Sequence, residues 1–240
     1  NSYSEYSSRT PIFSWNGVNG DMAFDGDSAI IVGSYGYWLG GIDSTITAVK
    51  HFRDDPSRSL KLWNGSGWSG MSTNYRNVYV SIISPNNSDQ LMDYPKITYN
   101  DETGNYYGIL YLGTDKIGCA FRYFNQERWE FWNDDAGWTE DSNINCSDVF
   151  RGNISSNLDF EDSSIFSTDS EFSIIFPEEH FSDTRFEISY NFENQEWSEV
   201  TYLTDTEDYI LKQDNEGVMW LLYKSSLDAK RFNLMKKIDD

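Results

Sequence analysis

One shape recurs four times along this chain, and it constrains the fold more than any other feature. A short alternating strand leads into an acidic or glycine-bearing turn and then into a second, more apolar strand. The first copy is Met22–Asp27 followed by Ala29–Gly33, and the second is Lys96–Tyr99, a turn over Asn100–Asn105, and Tyr106–Tyr111. The third is expected as Leu158–Phe160, a longer turn through Ser170, and Phe172–Phe176. The fourth is expected as Tyr209–Leu211, a turn over Gln213–Gly217, and Val218–Tyr223. Turn formers set between strand-like runs read as hairpins.

The segment after each hairpin is repeated too. A third strand runs into a polar turn and a tryptophan: Leu60–Trp68, Cys119–Glu130 and Phe186–Val200, with Arg231–Ile238 supplying the last strand. A sheet with two apolar faces cannot hide both alone, so the copies must stack. The expected fold is all-β, a β-propeller-like stack of about four antiparallel sheets, with a β-sandwich or jelly roll as the alternative. The units fall near 19–75, 94–140, 157–203 and 208–240, and residues 1–240 read as a single domain. Aromatic residues make up 17% of the chain, and with Ile and Thr they supply strand formers where alanine is scarce. Ser226–Lys237 carries a helix-start signal, but the repeat favours a strand there.

The stretch Tyr94-Pro95-Lys96-Ile97-Thr98-Tyr99-Asn100-Asp101-Glu102-Thr103-Gly104, closing on Trp129, resembles a blade of the secreted β-propeller repeat proteins of the sialidase-like and lectin-like kind. In those, an inner strand ends near P-x-I-x-Y-x-D-x-x-G and the blade closes on a Trp after a turn. The resemblance implies stacked blades with binding loops at their ends. The chain departs from sialidases in having no copy of S-x-D-x-G-x-x-W.

The formal net charge of -21 repels phosphate backbones and anionic lipid, which argues against nucleic acid and membrane surfaces as partners. No apolar run approaches the length of a membrane span; runs such as Ala29–Val32 are short. A start at Asn1 rather than Met fits a mature exported protein, so an extracellular setting is expected. Cys119 and Cys146 are expected to form a disulfide, which suits an oxidising compartment. Sequons at Asn64, Asn86, Asn145 and Asn153 permit glycosylation, but Asn, Ser and Thr are frequent enough here to produce such triplets by chance.

The chemistry a β-only chain of this kind can perform is narrow. With only His51 and His180, and no i, i+4 or C-x-x-C spacing, a zinc site lacks its ligands. Gly33-Ser34-Tyr35-Gly36 is the nearest approach to a nucleophile elbow and lacks its frame. No phosphate-cradling glycine loop is present, and no cofactor is expected. Calcium is the one ion that the oxygen-rich turns Asp25-Gly26-Asp27, Asn100-Asp101-Glu102 and Asn133-Asp134-Asp135 bring to mind, although Asp and Asn are also the ordinary turn formers. Paired carboxylates remain: Asp21, Asp25, Asp101, Glu102, Asp159 and Glu161 lie at hairpin positions, and glycoside hydrolysis needs two carboxyl groups about 5–9.5 Å apart.

The positive signal is aromatic. Trp63, Trp68, Trp132 and Trp138 sit beside polar turn residues, the mixture that binds sugars by a flat ring under C–H groups and polar side chains on hydroxyls. Trp129 and Trp197, which end the repeated strand, read as core. The leading expectation is a non-catalytic protein that binds glycan or an extracellular protein surface. A self-assembling structural subunit and a carboxylate glycoside hydrolase are the alternatives.

Overall fold

Asp25, Asn100 and Thr168 each close the first turn of a sheet in the same way. The side-chain oxygen of each accepts the backbone N–H three residues on, that of Ser28, Thr103 and Glu171 respectively. Such local capping lets a strand reverse tightly, because it satisfies a donor the ladder cannot reach. The computed structural model describes residues 20–36, 44–53, 60–70, 81–83, 92–112, 117–150, 163–177, 185–203, 207–213, 219–225 and 228–236.

Four antiparallel sheets follow one another along the chain. The first holds β1 (Gly20–Phe24), β2 (Ser28–Gly36), β3 (Ser44–Phe52), β4 (Lys61–Trp63) and β5 (Trp68–Gly70), in that spatial order. The second holds β6 (Met92–Asn100), β7 (Asn105–Leu112), β8 (Ile117–Phe124), β9 (Arg128–Asn133) and β10 (Gly137–Thr139), again a simple meander. The third contains β11 (Ser164–Ser167), β12 (Glu171–Pro177), β13 (Arg185–Asn191) and β14 (Glu196–Trp197), with β15 (Thr201–Leu203) also paired to β13. The fourth has β16 (Glu207–Gln213), β17 (Met219–Ser225) and β18 (Asp228–Lys236). No helix occurs among the described residues.

The first strands of successive sheets gather together: β1 touches β6, β6 touches β11, and β11 touches β16. Sheets joined at their first strands and stacked face to face are the arrangement of propeller blades. The second sheet shows why stacking is obligatory. In β7, Tyr106, Leu110 and Leu112 belong to the core shared with the first sheet, while Tyr107 and Ile109 belong to the core shared with the third. The alternation continues in β8, where Cys119, Phe121 and Tyr123 face one way and Ala120 the other. With side chains alternating at period two, both faces are apolar, so the sheet needs a neighbour on each side.

Two local features hold the second sheet in register. Gly108 lies across from Phe121, and a Cβ there would meet the Phe121 ring at 2.3 Å and the Lys96 carbonyl at 2.5 Å. In β6 the ladder slips between Asp93 and Lys96. That bulge accommodates Pro95, which has no N–H to give, and sets Tyr94 at a φ of 48°. Asp93 steadies it by accepting the Tyr94 N–H at 2.8 Å and the Ser34 hydroxyl of the first sheet at 2.8 Å.

The structure corrects the strand assignment in two places. The first strand of the third sheet is Ser164–Ser167, which the sequence pattern assigns to a long turn; Leu158–Phe160 lies outside the described residues. The third strand of the first sheet is Ser44–Phe52, whereas Leu60–Trp68 supplies the fourth and fifth strands. Both missed strands lack the bold aromatic pattern of their neighbours, and only pairing to a partner strand reveals them. The disulfide joins Cys119 to Cys146 with Cα atoms 5.8 Å apart. It holds the segment after β10 against β8, where Asp148 bridges to Cys119 and the Val149 N–H donates to the Gly118 carbonyl.

Candidate functional site

Two successive seams, between the first and second sheets and between the second and third, are built to one template. At the first seam, Trp63 and Trp68 face each other across the β4–β5 hairpin, their rings 5.4 Å apart at 70°. At the second, Trp132 and Trp138 face each other across the β9–β10 hairpin, 5.4 Å apart at 72°. Each pair receives a Tyr and a Trp from the next sheet along the chain. Tyr123 and Trp129, cross-strand neighbours, complete the first nest, and Tyr190 and Trp197 complete the second. Edge-to-face contacts of this kind place the positive ring edge against the negative ring face and are favourable by about 0.5–1.5 kcal/mol each.

The polar atoms repeat as well. The Trp68 indole donates to the Tyr123 hydroxyl at 2.8 Å, and the Trp138 indole donates to the Tyr190 hydroxyl at 3.0 Å. Burial raises the phenol pKa of both tyrosines above its usual value, while these indole donors act in the opposite sense. The hairpins that carry the indoles share a cap: Asn64 accepts the N–H of Ser66 and Gly67, and Asn133 accepts the N–H of Asp135 and Ala136. The indole N–H groups of Trp129 and Trp197 are buried at equivalent points and have no partner among the described residues.

The four tryptophans taken from the sequence as ligand contacts are thus divided. Trp63 and Trp132 are core residues, 5% and 8% exposed, because their strands turn them into the seam. Trp68 and Trp138 are half-buried and keep part of the indole at the surface. Trp129 and Trp197 are buried, as their place at the end of a repeated strand implies. What the sequence pattern did not reveal is the cation beside each surface indole, and the tyrosine that fixes its orientation. The signal was present as Trp63-Asn64 through Gly67-Trp68 and Trp132-Asn133 through Gly137-Trp138, each preceded by a basic residue two positions before a phenylalanine, Lys50 and Phe52 or Arg122 and Phe124.

At the second seam Arg122 lies 4.8 Å from the Trp138 ring centre and 4.3 Å from that of Phe124. Glu130, opposite it on β9, binds Arg122 at 2.6 Å and Arg128 at 2.8 Å. At the first seam the ammonium of Lys50 lies 5.0 Å from Phe52 and 6.0 Å from Trp68, with the Gln126 side chain accepting at 3.3 Å. Burial lowers the Lys50 pKa, and the charge of Asp25 opposes that shift.

Of the carboxylates named from the sequence, Asp21 and Asp25 are engaged by the fold, and the charges of Asp25 and Asp101 both reach the Tyr99 phenol. Asp21 accepts the backbone N–H of Ile97 at 3.0 Å and so ties β1 to β6. Asp25 holds Ser28 and the Asp27 N–H. Burial raises its pKa, but those hydrogen bonds and one from Tyr106 outweigh it and leave the pKa lowered. The Tyr106 hydroxyl lies beside Asp25 and Ser28, and burial drives its pKa sharply upward. Asp101 and Glu102 are exposed on the β6–β7 turn, and Asp159 and Glu161 lie outside the described residues. No group of three or more His, Cys, Asp or Glu side chains gathers in the manner of a metal site among the described residues. The turns considered for calcium direct Asp25, Asn100 and Asn133 oxygens to their own backbone N–H groups. Of the sequons, Asn64 and Asn145 are exposed, while Asn86 and Asn153 lie outside the described residues.

The class these features define is an all-β, propeller-like stack of antiparallel sheets with aromatic nests at its seams. No family model matches the chain, and no curated protein matches it. Among solved structures, it is similar to the catalytic domain of a Coprinopsis cinerea GH62 α-L-arabinofuranosidase, at 11% identity and a TM-score of 0.46 over 97% of this chain and 66% of that one. It is also similar to a Hadza microbial sialidase, at 11% identity and a TM-score of 0.45 over 92% of this chain and 44% of that one. A third is the fucose-specific lectin of Aleuria aurantia, at 11% identity and a TM-score of 0.41 over 93% and 64%. The chain therefore spans less than two thirds of the length of the first of these matches.

Proposed function

We propose that the chain is an extracellular glycan-binding protein that acts without a reaction, using Trp68 and Trp138 as paired platforms on neighbouring sheets. The observation that carries this reading is their repeated geometry: each is half-buried, each is held by a tyrosine hydroxyl, and each sits beside an asparagine-capped turn. An indole whose N–H is already engaged keeps a fixed orientation, so stacking a sugar on it loses little side-chain freedom. The disulfide supports an oxidising setting. Non-catalytic binding is favoured over hydrolysis because Asp21 and Asp25 are engaged in holding strands and turns.

A glycan array probed with the full chain tests this, with titration of any glycan bound. Trp68→Phe and Trp138→Phe keep an aromatic core contact but shrink the platform. Each should weaken binding roughly tenfold, equivalent to about 1.4 kcal/mol. An array on which no glycan binds, or binding unchanged in both variants, would refute the reading.

A further inference from the structure

The two seams differ in charge at one aligned position, and that difference has a chemical consequence. Register aligns Lys50 with Arg122, Phe52 with Phe124, and Lys61 with Glu130. Lys50 pairs with Lys61 across β3 and β4, just as Arg122 pairs with Glu130 across β8 and β9, and Trp63 and Trp132 each come two residues later. At the second seam a half-buried cation therefore meets a buried carboxylate, and at the first a buried cation meets a second cation. Lys61 lies 4.7 Å from the Phe52 ring centre, on the same ring that Lys50 flanks at 5.0 Å.

Lys50 is 3% exposed. Among the described residues no carboxylate lies within ion-pair distance of Lys50 or Lys61, and the Lys50 ammonium, with three donors, has Gln126 as its hydrogen-bond acceptor. Asp25, the acidic group whose charge reaches Lys50, already accepts from Ser28 and Asp27. Two like charges placed opposite each other in a ladder, one of them buried, repel and lack compensation. Lys61, Phe52 and Trp68 are half-buried and Gln126 is exposed, so the margin of this seam reaches solvent.

We infer that the first seam is a binding site for a carboxylate-bearing ligand, whose anionic group takes the place that Glu130 takes at the second seam. The carboxylate would bridge the ammonium groups of Lys50 and Lys61, with Gln126 beside it and the Trp68 ring available to an attached sugar. A uronic acid combines those two features. The site shares the Trp68 ring with the proposed glycan platform, but its recognition of the anion rests on Lys50 and Lys61 and is tested separately.

The test is titration of the full chain with sodium glucuronate, sodium acetate and neutral methyl glucoside at matched ionic strength, monitored by Trp fluorescence and calorimetry. Glucuronate should bind saturably. Lys61→Glu, which rebuilds the arrangement of the second seam, should weaken that binding at least tenfold and raise the melting temperature of the ligand-free protein by several degrees. Lys50→Met should abolish binding without the loss of fold that an unpaired buried charge would cause. Acetate saturating at the same site assigns recognition to the carboxylate alone; acetate silent beside binding glucuronate assigns it to a sugar acid. The proposal is overturned if neither carboxylate binds saturably, or if binding survives Lys61→Glu unchanged. Methyl glucoside reports on the neutral-glycan reading, so the two failures are distinguishable.

Discussion

Reducing the single disulfide should lower stability by an amount set by the chain it closes. Cys119 and Cys146 are separated by 27 positions, and a cross-link over such a loop removes unfolded-chain entropy worth about 3.5 kcal/mol at 25 °C. The folded side of the balance should change little. The closed segment has its own attachments: the Gly118 N–H donates to Asp148, the Val149 N–H donates to Gly118, and Val149 and Phe150 are buried in the core shared with the third sheet. The penalty therefore falls on the unfolded state. For a chain of this length each kcal/mol moves the melting temperature by about 2–4 °C, so reduction should lower it by about 7–14 °C. Differential scanning calorimetry of the oxidised protein, the reduced protein and Cys119→Ala/Cys146→Ala measures this, with circular dichroism confirming that the reduced form keeps its β-sheet signal before melting. Oxidised and reduced forms melting within about 2 °C would refute the reasoning.

Three further outcomes are expected from the seams. Glu130→Gln removes a buried carboxylate's charge and leaves the half-buried Arg122 and exposed Arg128 without it, so it should cost about 1–3 kcal/mol by urea unfolding. Gly108→Ala should destabilise by about 3 kcal/mol or more, because the added Cβ meets a backbone carbonyl and a packed ring with no room to move; a stable, fully folded variant would contradict the packing. The buried phenols of Tyr106, Tyr123 and Tyr190 have raised pKa values, so the fold favours their neutral forms. Their contribution is fully present below the unfolded value of about 10 and is lost as pH rises through the folded values. Absorbance at 295 nm should show a class of tyrosines that ionise only as the circular dichroism signal is lost, and all 16 titrating together in the intact fold would exclude this.

The hairpins were legible because their causes are local. Asp25, Asn100 and the alternating runs that flank them carry turn chemistry and period-two patterning in the sequence itself, and the structure places β1–β2 and β6–β7 there. The same holds for β17, for the strand rather than helix at β18, and for the pairing of two cysteines that had no other partner. The strands that escaped notice, Ser44–Phe52 and Ser164–Ser167, are defined by what they pair with, and pairing across a sheet leaves no local mark.

The candidate site shows the same division more sharply. Tryptophans next to polar turns were visible in the sequence, but whether such a ring is buried or presented depends on which face of its strand meets the next sheet. Adjacent members of one hairpin therefore went opposite ways: Trp63 and Trp132 into the core, Trp68 and Trp138 to its margin. Sequence alone determined that the chain builds repeated two-faced sheets that must stack, since alternation and turn chemistry act within a few residues. Only the tertiary structure decided which cation meets which counter-charge, Arg122 with Glu130 but Lys50 with Lys61, because cross-strand register sets distances that no linear spacing encodes.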